Sequence, residues 1–209
     1  MEITTHTICK NSADFIEPVL KQVIPYIKKA IVSVDIASSD GTIEILNRLA
    51  KENQKIELNY YSVKNPFKDL VVQRNEQIKK TETEWIWILD DDDLYSEKQI
   101  KNIFKILEKG KADAYLLPCW FVVDKEHYYP PKGAWAERFF RNVPNLKWEG
   151  EFLYETIKKA KIKIKTAYFI HLSYLKTHSW RKEWNILEYP QYQHIEELPK
   201  NIKDILKQI

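Results

Sequence analysis

The spacing of apolar positions changes period several times along the chain. Residues 2–8 alternate and are rich in Thr and Ile, the mark of a strand. From Asn11-Ser12 onward, Phe15, Val19, Val23 and Ile24 recur at helical spacing. Ile31 to Val34 is a short apolar run ending at Asp35, and after the polar turn Ala37 to Gly41, Thr42 is placed to cap a helix from Ile43 toward Lys51. Ile56 to Val63 reads as a third strand, and Leu70 to Lys80 as a third helix after a loop containing Pro66. Trp85 to Leu89 is a buried strand that runs straight into Asp90-Asp91-Asp92-Asp93, after which Ser96 caps a helix ending at Gly110. Strand and helix therefore alternate through residue 112, which predicts a mostly parallel sheet covered by helices. Ligands of such sheets bind at the carboxyl ends of the strands, where Asp35 and the aspartate run both fall.

Past Asp113 the pattern becomes β-rich and aromatic, at Ala114 to Val123, Trp135 to Arg141, Lys161 to Lys165 and Tyr168 to Leu172. Helical spacing returns only after His178. No linker, repeat or low-complexity tract separates the halves, so residues 1–209 read as one α/β domain with a functional boundary near 112. The 44% hydrophobic content suffices for one substantial core. Cys9 and Cys119 make neither a disulfide framework nor a metal-spaced set. No apolar run reaches the roughly 18–20 residues of a membrane span, and the N-terminus lacks a signal-peptide pattern, so the expected location is cytoplasmic. A net charge of +3 from 33 basic and 30 acidic residues argues against nucleic acid as partner. With only 4 glycines there is no glycine-rich phosphate cradle, and a nucleotide must be held another way.

Four adjacent carboxylates repel one another and need counter-charge or full solvation. The bland reading is a solvated acidic turn ahead of a helix. The apolar strand before it favours another, because it fixes the run at the ligand edge of a sheet. Oxygen ligands suit Mg²⁺ or Mn²⁺, and a metal with open positions can also hold a diphosphate.

Five segments in order carry a family resemblance: Thr7 to Asn11, Ser33 to Thr42, Gln73-Arg74-Asn75, Leu89 to Asp93, and Arg138 to Asn142 with Trp148-Glu149-Gly150. Together they resemble family 2 glycosyltransferases of the GT-A fold, closest in pattern to lipopolysaccharide core glucosyltransferase-like members. The resemblance implies a single GT-A domain. Residues 1–112 would bind a nucleotide diphosphate sugar, and residues 113–209 would supply the acceptor and catalytic half. It implies that Asp35 recognises the nucleotide base, that Thr5 and Thr7 pass beside it, and that Arg74 approaches the nucleotide. Asp90 and Asp92 match the ends of the D-x-D motif, with Asp90 toward ribose and metal and Asp92 on the metal. The register is open by one residue, which leaves Asp91 as a replacement for either. His171 is placed near the metal or diphosphate, and Arg141 near the diphosphate.

An inverting transfer also needs a general base that takes the proton of the attacking acceptor hydroxyl. By resemblance Glu155 comes first, Glu151 next and Glu149 third, although Tyr154 stands where the pattern has His and Glu155 lies one residue late. Tyr128, Tyr129, Trp135 and Trp148 offer faces for a sugar ring, with core packing as the competing role. The acceptor would be a glycan, a lipid-linked group or a protein. Ile202, Ile205, Leu206 and Ile209 share a helical face beside lysines, which permits peripheral membrane contact or packing on the domain. The alternative function is a non-catalytic nucleotide-sugar or carbohydrate-binding protein of the same fold. A sugar nucleotidyltransferase fits less well, since Cys9 to Ala13 stands where its glycine-rich loop belongs.

Overall fold

Thr and Ile alternation makes residues 3–9 a strand that is buried along its whole length, because neighbours pair with it on both sides. In this computed structural model, which describes residues 1–110, 112–129, 135–150, 161–173, 175–176, 196–198, 200, 203 and 206–207, that strand is β1 (Ile3–Cys9). There follow α1 (Ile16–Val23), β2 (Lys29–Asp35), α2 (Thr42–Glu52), β3 (Ile56–Tyr61), α3 (Pro66–Lys79), β4 (Trp85–Ile88), β5 (Asp93–Leu94) and α4 (Glu97–Glu108). The second half adds β6 (Ala114–Val122), β7 (His127–Tyr129), β8 (Trp135–Arg141), β9 (Lys161–Lys163), β10 (Phe169–His171) and β11 (Glu196–Glu197).

These elements build a mixed α/β domain around one curled sheet. Its central path runs β11-β7-β6-β8-β4-β1-β2-β3, with β9 and β10 attached beside β6 and β5 paired with β10. The strands β4, β1, β2 and β3 are mutually parallel, whereas β8 is antiparallel to β4. The side-chain period of two is plain on β4. Trp85 and Trp87 enter the main core with α1, α2 and α4, while Ile86 and Ile88 enter a second cluster with Phe140, Trp148 and the α3 residues Val71 and Ile78. Full burial of side chains such as Phe139 and Phe140 stabilises the fold by about 1.5–3 kcal/mol each.

Helix starts differ in part from the sequence reading. Ser96 caps α4 as expected, its Oγ accepting from Gln99 N at 3.3 Å. Thr42 is the first residue of α2 instead of its cap. Its hydroxyl donates to Asp40 Oδ1 at 2.5 Å, and Gly41 takes the left-handed φ of 96° that the turn requires. Ser12 does not cap α1, because its hydroxyl is used elsewhere, and the helix starts at Ile16. On α3, Asn75 donates through Nδ2 to the Trp148 carbonyl at 3.1 Å and accepts from Trp148 N at 2.9 Å, tying the loop before Gly150 to the helix.

Most of the chain beyond His178 lies outside the described residues, as do Ile202, Ile205 and Ile209, while Lys200, Lys203 and Leu206 are helical. Leu206 packs against the main core, and Lys203 pairs with Glu126. Among the described residues no helix is long and apolar enough to cross a membrane.

Candidate active site at the carboxyl edge of the sheet

β4 delivers the aspartate run to the carboxyl edge, and the chain turns there at once. The Asp90 carbonyl accepts from Asp93 N at 3.1 Å, and Asp93 then enters β5, paired with His171 of β10. This turn sorts the four carboxylates. Asp90 and Asp93 face Arg138 of β8, whose Nη2 lies 2.8 Å from Asp90 Oδ2 and 3.0 Å from Asp93 Oδ2. Asp90 also accepts from Arg74 of α3 at 2.9 Å. Asp91 and Asp92 face Lys176, whose Nζ is 2.6 Å from Asp91 Oδ1 and 3.1 Å from Asp92 Oδ2, and Asp91 further accepts from the Ser12 hydroxyl. His171 Nδ1 sits 2.8 Å from Asp93 Oδ1 and 3.1 Å from Asp92 Oδ1.

The counter-charge that the sequence demands thus comes largely from the chain itself. Among the described residues, the four carboxylates meet three fixed cations, Arg74, Arg138 and Lys176. Burial opposes the charge on Asp90, but Arg138 and Arg74 outweigh it and hold that carboxyl well below the usual range. For Asp93 burial wins, and the carboxyl is pushed up to about 6 against the pull of Arg138 and His171. Burial likewise raises Asp91, partly offset by Lys176. Burial would lower Lys176, yet Asp91 and Asp92 hold it above the ordinary lysine value.

The metal-ligand set expected from the sequence was Asp90, Asp92 and His171. The structure brings Asp92 and His171 together, but with Asp93 as the third member, one ligand atom from each lying within 4.8 Å of the others. Asp90 is instead engaged by two guanidinium groups. The reason is the turn, which folds Asp93 back beside Asp92 and leaves Asp90 at the strand end. Two carboxylates and an imidazole form a donor set that can hold a divalent cation.

Other expected positions fare unevenly. Asp35 ends β2 on the same edge, buried, with Oδ1 accepting from Ala37 N at 3.0 Å. Thr5 and Thr7 are sealed inside β1, facing the main core with hydroxyls that have no hydrogen-bond partner among the described residues; the open end of the strand is Cys9 to Asn11. Arg141 requires correction. The antiparallel register sets it against Trp85, at the opposite end of β4, where it pairs with Glu84 at 2.5 Å. Glu149 is ion-paired with Lys147 at 2.8 Å, and Glu151 and Glu155 lie outside the described residues. Trp148 is buried against Phe140, and Tyr128 is buried in a stack with Trp120, so neither offers a free face to a sugar. Trp135 is half-buried beneath the Lys163 ammonium, and the side chain of Tyr129 lies outside the description.

Sequence reasoning missed Arg138, Lys176 and Ser12 as partners of the run. Arg138 was visible as half of an Arg-Phe-Phe-Arg segment, but choosing between its two arginines needed the strand register. A single lysine after His171 carries no pattern at all.

A family model described as glycosyl transferase family 2 matches residues 4–172. The chain belongs to this family. A relative of this family 2 chain is an uncharacterized glycosyltransferase, MG060, of Mycoplasma genitalium, 25% identical over 117 residues that make up 53% of this chain and 39% of the relative. Among solved structures, S. aureus TarS in complex with UDP-GlcNAc is similar with a TM-score of 0.58 at 15% identity, over 82% of this chain and 58% of that one. A mannosyltransferase from Pyrobaculum calidifontis, in complex with GDP-Man and Mn²⁺, is similar with a TM-score of 0.50 at 17% identity, over 67% of this chain and 44% of that one. The chain therefore spans less than two thirds of the length of each of these proteins. The two structural likenesses establish the GT-A fold.

Proposed function

We propose that this family 2 member is an inverting, metal-dependent transferase that moves a hexosyl group from a nucleotide diphosphate sugar to an acceptor hydroxyl. The observation that carries the proposal is the buried Asp92–Asp93–His171 cluster, on the same sheet edge as Asp35. In this reading Asp92, Asp93 and His171 hold Mn²⁺ or Mg²⁺, with the imidazole favouring Mn²⁺. The bound cation supplies charge that offsets the departing diphosphate. Asp35 accepts a hydrogen bond from the nucleotide base, and Arg74 stands near the nucleotide. Glu155 takes the proton of the acceptor hydroxyl, with Glu151 as the alternative base. Similar folds carrying UDP-GlcNAc and GDP-Man with Mn²⁺ support the donor class and the cation. The finer likeness to lipopolysaccharide core glucosyltransferase-like members rests on the Arg138 to Gly150 segment, and the acceptor is a glycan, lipid-linked group or protein.

A thermal-shift screen of UDP- and GDP-sugars with and without Mn²⁺ tests donor and metal together, since a ligand that binds only the native state raises its stability. Asp92→Ala should remove the Mn²⁺-dependent part of the shift. Glu155→Gln should keep donor affinity and lower kcat by about 10²–10⁴. Donor and metal binding by a wild type that neither transfers nor hydrolyses the sugar would replace this reading with that of a binding protein.

A further inference from the structure

We propose that the Lys176 ammonium is a resident counter-cation of the aspartate run, which a divalent metal must displace in order to bind. The inference rests on the metal reading above. Lys176 is only 3% exposed, and its Nζ reaches both Asp91 Oδ1 and Asp92 Oδ2 within hydrogen-bond distance. Asp92 is the shared member: one of its oxygens faces Lys176, and the other faces His171 Nδ1 at 3.1 Å. A divalent ion held by Asp92, Asp93 and His171 would therefore share a carboxylate with a buried ammonium. Two cations competing for one carboxylate in a water-poor pocket repel strongly.

The described contacts beside Lys176 are compatible with an exchange. Leu172 N donates to the Asp92 carbonyl at 2.9 Å and Leu175 N to the Leu172 carbonyl at 2.8 Å, which ties Leu172 to the run and Leu175 to Leu172. His171 is fixed in β10, whereas Lys176 reaches the carboxylates through a long flexible stem that can swing out without breaking a strand pair. Metal entry and lysine withdrawal are then one event. The measured metal affinity is the intrinsic affinity reduced by the fraction of chains in which Lys176 has withdrawn.

The experiment titrates Mn²⁺ alone into wild type, Lys176→Gln and Lys176→Arg, reading free Mn²⁺ by electron paramagnetic resonance. Lys176→Gln should bind about tenfold or more tightly than wild type, and Lys176→Arg, which keeps the charge, should stay weak. Equal or weaker binding by Lys176→Gln overturns the inference. Amine-reactive labelling of the wild type with mass-spectrometric readout gives a test independent of any variant's folding. Saturating Mn²⁺ should raise modification of Lys176 several-fold while leaving exposed Lys101 unchanged. Mn²⁺ binding without a rise at Lys176 overturns the inference as well. If no protein binds Mn²⁺, both the exchange and the metal reading fail, and a donor titration without metal decides separately whether the transferase reading stands.

Discussion

The two ends of β4 are closed by the same kind of contact in opposite settings. At the end near Trp85, Arg141 pairs with Glu84 and stacks over the Trp85 ring at 4.6 Å, with the glutamate side chain 49% exposed. At the end near Asp90, Arg138 pairs with Asp90 and Asp93 and lies over the Phe169 ring at 4.4 Å, almost wholly buried. The two arginines are three residues apart on one strand. Water screens the first pair and lets it break at little cost, whereas removing one partner of the second strands charge in the interior. Equal geometry therefore does not mean equal worth, and a cluster of buried charge at the ligand edge is maintained against its desolvation.

The comparison breaks most sharply at Arg138. Arg138→Leu should destabilise the metal-free protein by about 3–5 kcal/mol in urea denaturation, because Asp90 and Asp93 lose their shared cation. A loss near that of a surface substitution would show that the run is solvated after all. His6 sharpens the contrast by showing that the buried end excludes an unpaired cation. It lies opposite Ile88 in the β1–β4 register, and burial together with Arg74 holds its pKa well below 6.5. The unfolded chain therefore takes up a proton below pH 6.5 that the folded chain refuses, and stability present above that pH is lost on acidification. This single group should contribute a slope of up to about 1.4 kcal/mol per pH unit, read as the difference between wild type and His6→Gln. Parallel pH profiles for the two proteins would mean that His6 is free to charge in the fold. The smallest effect is expected from Arg141→Ala, about 1 kcal/mol or less for ion pair and ring contact together, and it should shrink in high salt.

Most of the first half was legible because local pattern and global fold agree there. The alternation of β1, the apolar run of β2 and the Ser96 cap each have a local cause, and the run Trp85 to Leu89 had to be buried wherever it lay. The Asp35 edge followed from the βα repeat. What escaped were facts of pairing. A strand shows which residues alternate but not which neighbour they meet, so Arg141 was expected at the ligand edge and Arg138, which pairs with the run, was given no role. The placing of Asp93, and not Asp90, beside Asp92 and His171 has the same origin, since β5 is only two residues long and exists through its pairing with β10. Lys176 was invisible for a different reason, because a lone lysine usually belongs to solvent and only the depth of the run draws it inward.

Arg74 and Asn75 occupy successive positions of α3, and each holds a different half of the protein. Arg74 grips Asp90, while Asn75 moors the backbone of Trp148, two residues before Gly150 and the stretch that contains Glu151 and Glu155. A helix of 14 residues shifts as a rod, so these two grips form a single lever. A displacement of the helix that follows a change of charge at Asp90 would be felt at Trp148 through Asn75. In the proposed transferase, reciprocity would then fix the balance of traffic: the factor by which an occupied donor site altered acceptor affinity along this lever would equal the factor by which bound acceptor altered the donor's.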